Sequence, residues 1–486
     1  MLFNSLEFLV FFPVVAVVYF VIPHKFRWLW LLGASYVFYM GWNAAYALLL
    51  LASTGITYTA SLLIDKFNDK KKKKIFLSLS IIINLGILFT FKYFNFFTSG
   101  LYGVLDLLKV SYTPIKYSLI LPVGISFYIF QALGYSIDVY RGDVNVQKHF
   151  GKYALFVSFF PQLVAGPIER SRNLLPQFDE VHYFDTARAS SGLRLMLWGY
   201  FKKIVVADTV CVAVNTVYNN ITVYDGLPIL IATLLFTIQI FCDFSGYSDI
   251  ARGCARIMGF DLMLNFNHPY FSTSVQDFWR NWHISLSTWF KDYVYIPLGG
   301  NRKGEHRRRL NLLITFLVSG LWHGADVTFI VWGGLHGLLQ IAGRITKPVR
   351  DKVNSFTKID KVPYLHNAIR IIITFGFVSF AWIFFRANTM QDAFYAVSHL
   401  FDIKEINLSY IFTELKLVFN TRAEFYRLLA ILPVFVCASF TDKYRSINKF
   451  VLSFGKPTRF IIYVLIAVYI MIFARAEMQD FIYFQF

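Results

Sequence analysis

The sequence predicts an all-α polytopic membrane protein, and three observations carry that prediction. The 486 residues are 56% hydrophobic. Only 16% are charged, where soluble domains average roughly 25%. The apolar residues also fall in runs near the length that a bilayer span requires, about 20 residues. Fifty-three Phe and an aromatic content of 19% exclude intrinsic disorder, which belongs to chains too poor in apolar side chains to bury a core.

The first apolar segment, Leu6 to Ile22, carries Glu7 in place of a basic leader and lacks a small-residue cleavage site, so it is expected to be a retained helix. Further segments follow at Trp28 to Trp42, Ala45 to Leu63, Ile75 to Phe97 and Ile115 to Ile137. The remainder lie near Ala154 to Val164, Leu193 to Tyr218, Leu227 to Phe244, Leu310 to Trp322, Phe329 to Ile341, Ile369 to Phe385, Leu428 to Phe440 and Phe460 to Phe473. Several are short for a full span. Short or Gly-interrupted segments are tolerated at membrane depth where protein or a cavity surrounds them. The expectation is about ten to twelve membrane helices with re-entrant or tilted pieces in the middle. They form a single integral membrane domain over 1–486, with a catalytic core at 241–345.

The net charge of +18 admits nucleic-acid binding in principle. The basic residues, however, sit in loops between apolar segments: His24, Lys25 and Arg27; Lys70 to Lys74; Arg302, Lys303, Arg307, Arg308 and Arg309. That placement reads as a positive-inside topology in contact with membrane lipid, with no nucleic-acid partner. Cys211, Cys242, Cys254 and Cys437 lack CxxC spacing and are expected to be packing thiols.

Chemistry concentrates between Phe241 and Gly337, where Asp, His, Arg, Trp and Gly enter apolar stretches. An ionisable group inside a membrane is costly and usually faces a cavity or a partner. His323 follows thirteen residues whose one strongly polar member is Asn311. It is either a satisfied interhelical imidazole or a general base kept neutral by desolvation. Gly320 and Gly324 are expected to leave room for a ligand beside it. On a helix His283 would share a face with Arg280, with Trp279 and Trp282 around them. For His336 packing is the stronger reading. Asp243 and Asp249 are expected to pair with Arg252 and Arg256, although Asp243 also stands as a candidate for lining a polar chamber. Asn301, Arg302 and Lys303 lie in a Gly-rich basic loop suited either to phosphate or to anionic lipid. Zinc HExxH, Rossmann GxGxxG and GxSxG signatures are absent.

Phe278-Trp-Arg-Asn-Trp-His-Ile-Ser-Leu-Ser-Thr-Trp, Asp292-Tyr-Val-Tyr-Ile-Pro-Leu-Gly-Gly-Asn-Arg-Lys-Gly and Gly320-Leu-Trp-His-Gly-Ala resemble the membrane-bound O-acyltransferase superfamily, in particular its alginate O-acetyltransferase branch. Leu121-Pro-Val-Gly-Ile-Ser-Phe-Tyr-Ile-Phe, Asp138-Val-Tyr-Arg-Gly-Asp, Val164-Ala-Gly-Pro-Ile, Asp243-Phe-Ser-Gly-Tyr-Ser-Asp and the closing Phe481-Ile-Tyr-Phe-Gln-Phe fit the same branch in the same order. The resemblance implies an acetyl donor on the cytoplasmic side, acetyl-CoA, and a tunnel to the opposite face of a bacterial inner membrane. There an SGNH-hydrolase-type partner would place the acetyl group on a polysaccharide. By motif match His323 is the essential histidine and His283 the second characteristic position. Trp279, Arg280, Trp282, Trp322, Asp243, Asn301, Arg302 and Lys303 are then expected to bind substrate, with His283 or an indole N–H of Trp279 or Trp282 steadying an oxyanion. An acyl-histidine relay competes with base catalysis. Two alternative functions stand beside this one: D-alanyl transfer from a carrier-protein thioester, and a proton-coupled channel or transporter.

Overall fold

In the computed structural model the described residues are 1–486 except 116, 118, 165, 406, 420, 446, 474–480, 485 and 486. Ala165 of the Val164-to-Ile168 motif, and Gln485 and Phe486 of the closing motif, lie outside them. The described residues are helical and contain no strand. Five helices among them are long and apolar enough to cross a membrane: Ala45–Lys66, the run Lys70–Leu107, Leu227–Ile257, Pro363–Arg386 and Arg422–Tyr444. The other apolar segments fold into shorter pieces.

The chain forms two compact units. One comprises Met1–Met196, Ser248–Leu264 and Gly324–Asp326. Its helices begin with α1 (Leu6–Val21), capped by the Ser5 hydroxyl, α2 (His24–Met40), α3 (Ala45–Lys66) and α4 (Lys70–Leu88). The lysine run does not form a loop. Asp69 caps α4, and Lys70 to Lys74 are its first turns, a cost against the helix dipole that is offset by keeping the charges at the membrane edge. A π-helical turn, Phe89–Tyr93, leads into α5 (Phe94–Leu107). The apolar stretch from Ile115 is helical only from α6 (Ile125–Arg141), because Pro122 and the left-handed Gly124 bar an earlier start.

The segment near Ala154 is likewise not one span. It breaks at Phe159 into α7 (Phe150–Ser158) and α8 (Phe160–Leu163), which has Pro161 in its first turn, and both are buried from Tyr153 onward. Polar side chains inside this unit pair locally: Tyr153 donates to Thr57 Oγ1 (2.7 Å) and Ser53 to Asn84 (2.5 Å). The short α9 (Ser171–Leu174) follows.

The second unit comprises Leu197–Tyr247, Asn265–His323 and Val327–Phe486. After α10 (Thr186–Tyr200) a π segment, Phe201–Ala207, continues into α11 (Asp208–Tyr218). The long α12 (Leu227–Ile257) is followed by two helices of 7 residues, α13 (Val275–Asn281) and α14 (Ile284–Phe290), which are the broken central pieces expected from the sequence. Next come α15 (Gly304–His323) and α16 (Val327–Ile345), packed antiparallel along their lengths. Their approach is set by glycine: a Cβ on Gly320 would collide with the Phe329 carbonyl oxygen, and one on Gly333 with that of Phe316. Gly320 therefore serves helix packing, in the small-residue manner of membrane interfaces, and does not open space for a ligand as its position beside His323 suggested. The unit is completed by α17 (Lys347–Thr357), α18 (Pro363–Arg386), α19 (Met390–His399), α20 (Leu408–Val418), α21 (Arg422–Arg445), α22 (Ile447–Leu452) and α23 (Lys456–Phe473).

Candidate active site

His283 sits at the break between α13 and α14, with φ 41° and ψ 57°. This left-handed conformation costs an L-residue about 1–2 kcal/mol, so neighbours must hold it. Asn265 does so from the preceding loop. Its carbonyl oxygen accepts from Ile284 N (2.9 Å), and its side-chain oxygen accepts from Ser285 Oγ (2.7 Å) and Ser285 N (3.4 Å). Ser274 caps α13 by accepting from Asp277 N (3.1 Å). The expected shared helix face of Arg280 and His283 is thus not formed, because the helix ends at Asn281. The turn drives His283 inward to full burial and leaves Arg280 exposed.

His323 is the last residue of α15 and is buried. Aromatic rings surround it: Trp332 (centroids 4.9 Å apart), Trp322 (4.9 Å), Phe385 (5.4 Å) and Tyr483 (5.5 Å). His283 meets Phe244 (4.6 Å), Trp322 (6.0 Å) and Tyr483 (6.4 Å). Trp322 and Tyr483 are therefore common neighbours of both histidines, which the structure brings into one aromatic chamber. Both side chains are buried, and the surrounding rings keep water away from them.

Tyr483 reaches this chamber because the chain end is clasped. Ile482 N donates to Asp243 Oδ2 (2.8 Å), the other oxygen of Asp243 meets Lys203 Nζ (2.8 Å), and Lys203 also meets Asp208 (2.9 Å). Phe481 and Ile482 are buried beside it. The expected pairing of Asp243 with Arg252 or Arg256 is corrected by this geometry, because Asp243 is turned toward the π segment that carries Lys203. Asp249 does pair with Arg252 (3.5 Å).

The three tryptophans divide by role. Trp322 belongs to the chamber. Trp282 packs against Phe278 (5.3 Å), Phe266 (5.0 Å) and Trp382 (5.2 Å), a structural position. Trp279 donates its indole N–H to Nδ1 of the buried His336 (3.1 Å), so that N–H is already committed and does not serve an oxyanion. His336 is a packing residue with a hydrogen-bond partner, as its sequence surroundings suggested.

A cavity of about 420 Å³ opens in the same unit, lined by residues of α13, α14, α15 and α16. Trp279, Phe316 and Ser319 line its inner part, and Arg280, Lys291 and Arg344 supply cations. Ser319 precedes His323 by four residues, one helical turn or roughly 6 Å along the axis. Arg344 lies near the far end of α16, beside the start of α15, so the cavity extends toward the basic end of this hairpin. Asn301, Arg302 and Lys303 are exposed on the turn before α15 and do not line it.

Sequence reasoning missed Asn265, Lys203, Tyr483, Lys291 and Arg344. Tyr483 had a signal in the closing motif, to which no role was attached. The others carry none, since their importance arises from contacts made across the fold.

The profile of the membrane-bound O-acyltransferase family matches residues 146–385. A Pseudomonas syringae protein named "Probable alginate O-acetylase AlgI" is 37% identical over 414 residues, 84% of this chain and 77% of its own. The peptidoglycan O-acetyltransferase of Helicobacter pylori is 34% identical over 446 residues, covering 85% and 82%. The teichoic acid D-alanyltransferase of Bacillus subtilis is more distant, 28% identical over 292 residues, 56% of this chain and 70% of its own. With two buried histidines in one chamber and relatives that match most of its length, the chain belongs to the membrane-bound O-acyltransferase family and is an acyl-transferring enzyme of the membrane.

Proposed function

We propose that this enzyme takes an acetyl group from acetyl-CoA at the cytoplasmic face of a bacterial inner membrane and delivers it for O-acetylation of an envelope polysaccharide. The observation that carries the proposal is the cavity. It has Arg280, Lys291 and Arg344 where a phosphate-bearing donor needs cations, and its inner wall at Ser319 stands one turn from His323. The positive-inside rule makes the basic end of α15 and α16 cytoplasmic. Relatives named for alginate and peptidoglycan O-acetylation support an acetyl group and a glycan acceptor. The final transfer falls to an extracytoplasmic partner of SGNH-hydrolase type.

In the proposed step His323 removes the proton of an acceptor hydroxyl, whose oxygen attacks the thioester carbonyl. The tetrahedral oxyanion is steadied by a His283 N–H. The C–S bond then breaks, and the thiolate leaves with the proton from the His323 imidazolium. The burial of both rings in an aromatic chamber strengthens these interactions relative to water.

The test is transfer from radiolabelled acetyl-CoA by purified enzyme in vesicles, run beside a D-alanyl carrier-protein thioester, together with a survey of which envelope polymer loses acetyl esters on gene deletion. Label transfer from acetyl-CoA alone supports the proposal. Transfer only from the D-alanyl carrier would replace it with teichoic acid D-alanylation.

A further inference from the structure

Helix α17 is eleven residues long, and none of them is buried. A helix so short is marginal by itself and ordinarily depends on packing an amphipathic face. This one has such a face. Val349, Val353 and Phe356, spaced four and three residues apart, fall on one side of the helix and are 62%, 53% and 89% exposed. Arg350 and Lys352 flank that ridge, Lys347 and Asp351 lie opposite, and the exposed Lys358 follows the helix end. From Lys347 to Lys361 there are five Lys/Arg against two Asp, so the segment is basic overall.

Its place in the chain restricts what can cover the ridge. Helix α17 starts two residues after α16 ends and stops six before α18 begins, and α16 packs against α18. Of these, α18 is long and apolar enough to cross a membrane, and a segment ending six residues before its start lies near the membrane surface. It is also at the same end of the hairpin as Arg307, Arg308 and Arg309 in the first turns of α15, so the charges of both segments gather at one membrane face. A second copy of the chain would bring these like charges together. A ridge of three side chains is moreover far smaller than the roughly 800 Å² per partner of a stable protein interface. An anionic leaflet satisfies both features at once: acyl chains meet the ridge, and lipid phosphates meet the lysine and arginine heads.

We propose that α17 is an interfacial helix seated on anionic lipid, with Val349, Val353 and Phe356 immersed at the boundary of headgroups and acyl chains. Because α16 carries Gln340 and Arg344 of the cavity wall, a seated α17 holds that end of α16 at a defined depth.

Site-directed spin labelling tests this in the full-length protein. Cys437 is the exposed cysteine, and Cys211, Cys242 and Cys254 are buried, so Cys437→Ser supplies a background in which single cysteines are placed from Lys347 to Lys358. In vesicles containing phosphatidylglycerol, collision with oxygen is expected to peak at positions 349, 353 and 356, and collision with a water-soluble nickel chelate at 347, 351 and 358. Exchange of phosphatidylglycerol for phosphatidylcholine is expected to lower the oxygen-to-nickel ratio at 356 by about two-fold or more, as basic residues lose their attraction to the surface. Nickel access at 349, 353 and 356 equal to that at 351 would show a helix in water and overturn the proposal. Exclusion of both reagents from the ridge would show a protein cover and also overturn it. A ratio unchanged by lipid charge would remove the anionic preference. All positions are on an unburied helix, so labelling leaves the packed core untouched.

Discussion

In the proposed mechanism the base is His323, the last residue of α15. Its replacement by Ala is expected to lower acetyl transfer by about 10²–10⁴-fold, the usual contribution of a general base, with donor binding retained. Acetyl-ester content of the glycan measures the first and equilibrium binding of acetyl-CoA the second; wild-type esterification by His323→Ala would remove the assignment. A different residue sets a pH dependence of stability. Glu169, in the loop before α9, is buried, and desolvation pushes its carboxyl up to about 7, partly offset by hydrogen bonds from Asn173 and the Met263 backbone. Since the folded form holds its proton more tightly than the unfolded one, Glu169 stabilises most at low pH and loses that contribution as pH rises through about 7. Tm in detergent solution is expected to fall between pH 5 and pH 8, and Glu169→Gln to flatten that fall. Both histidine positions were legible in their motifs. The left-handed turn at His283 was not, because it depends on Asn265 eighteen residues earlier.

Among the elements, the α15 and α16 pair and the clasp of the chain end position the chamber. Gly320→Ala inserts a methyl against the Phe329 carbonyl and is expected to cost about 1–3 kcal/mol by overpacking, read as a lower Tm by scanning fluorimetry. Asp243→Ala leaves Lys203 with Asp208 as its remaining carboxylate in the clasp and releases Ile482 N. Unbalancing a buried ion cluster in this way is expected to cost roughly 3 kcal/mol, read as a lower Tm, while Asp249→Ala, at the half-buried pair with Arg252, is expected to lower Tm less. The helices themselves were legible as apolar runs. Their breaks at Pro122, Phe159 and Asn281 were less so, since a run of apolar residues marks burial without saying whether one helix or two carry it.

For the whole molecule, the distribution of charge predicts the orientation in the membrane. Single cysteines replacing Lys72 or Lys303 in a Cys437→Ser background are expected to react with a membrane-impermeant maleimide only from the cytoplasmic side; labelling of intact cells by that reagent would invert the topology. Arg344→Glu is expected to raise the KM for acetyl-CoA several-fold with a smaller change in kcat, and added salt to narrow the difference. The channel alternative lapses with membership in a transferase family whose relatives cover most of the chain.

Composition, the spacing of apolar runs and the rare central motifs were enough for a helical membrane acyltransferase, because hydropathy and charge act locally and leave their record along the chain. Which groups stand beside His283 and His323 was decided only in three dimensions. Asp243 faces Lys203 and Ile482, Trp279 is committed to His336, and the cavity is lined by Arg280, Lys291 and Arg344, with Asn301, Arg302 and Lys303 outside it. The physical reason is that a buried charge or N–H must find a partner wherever the fold brings one near. That partner is chosen by distance in space, to which distance in sequence is no guide.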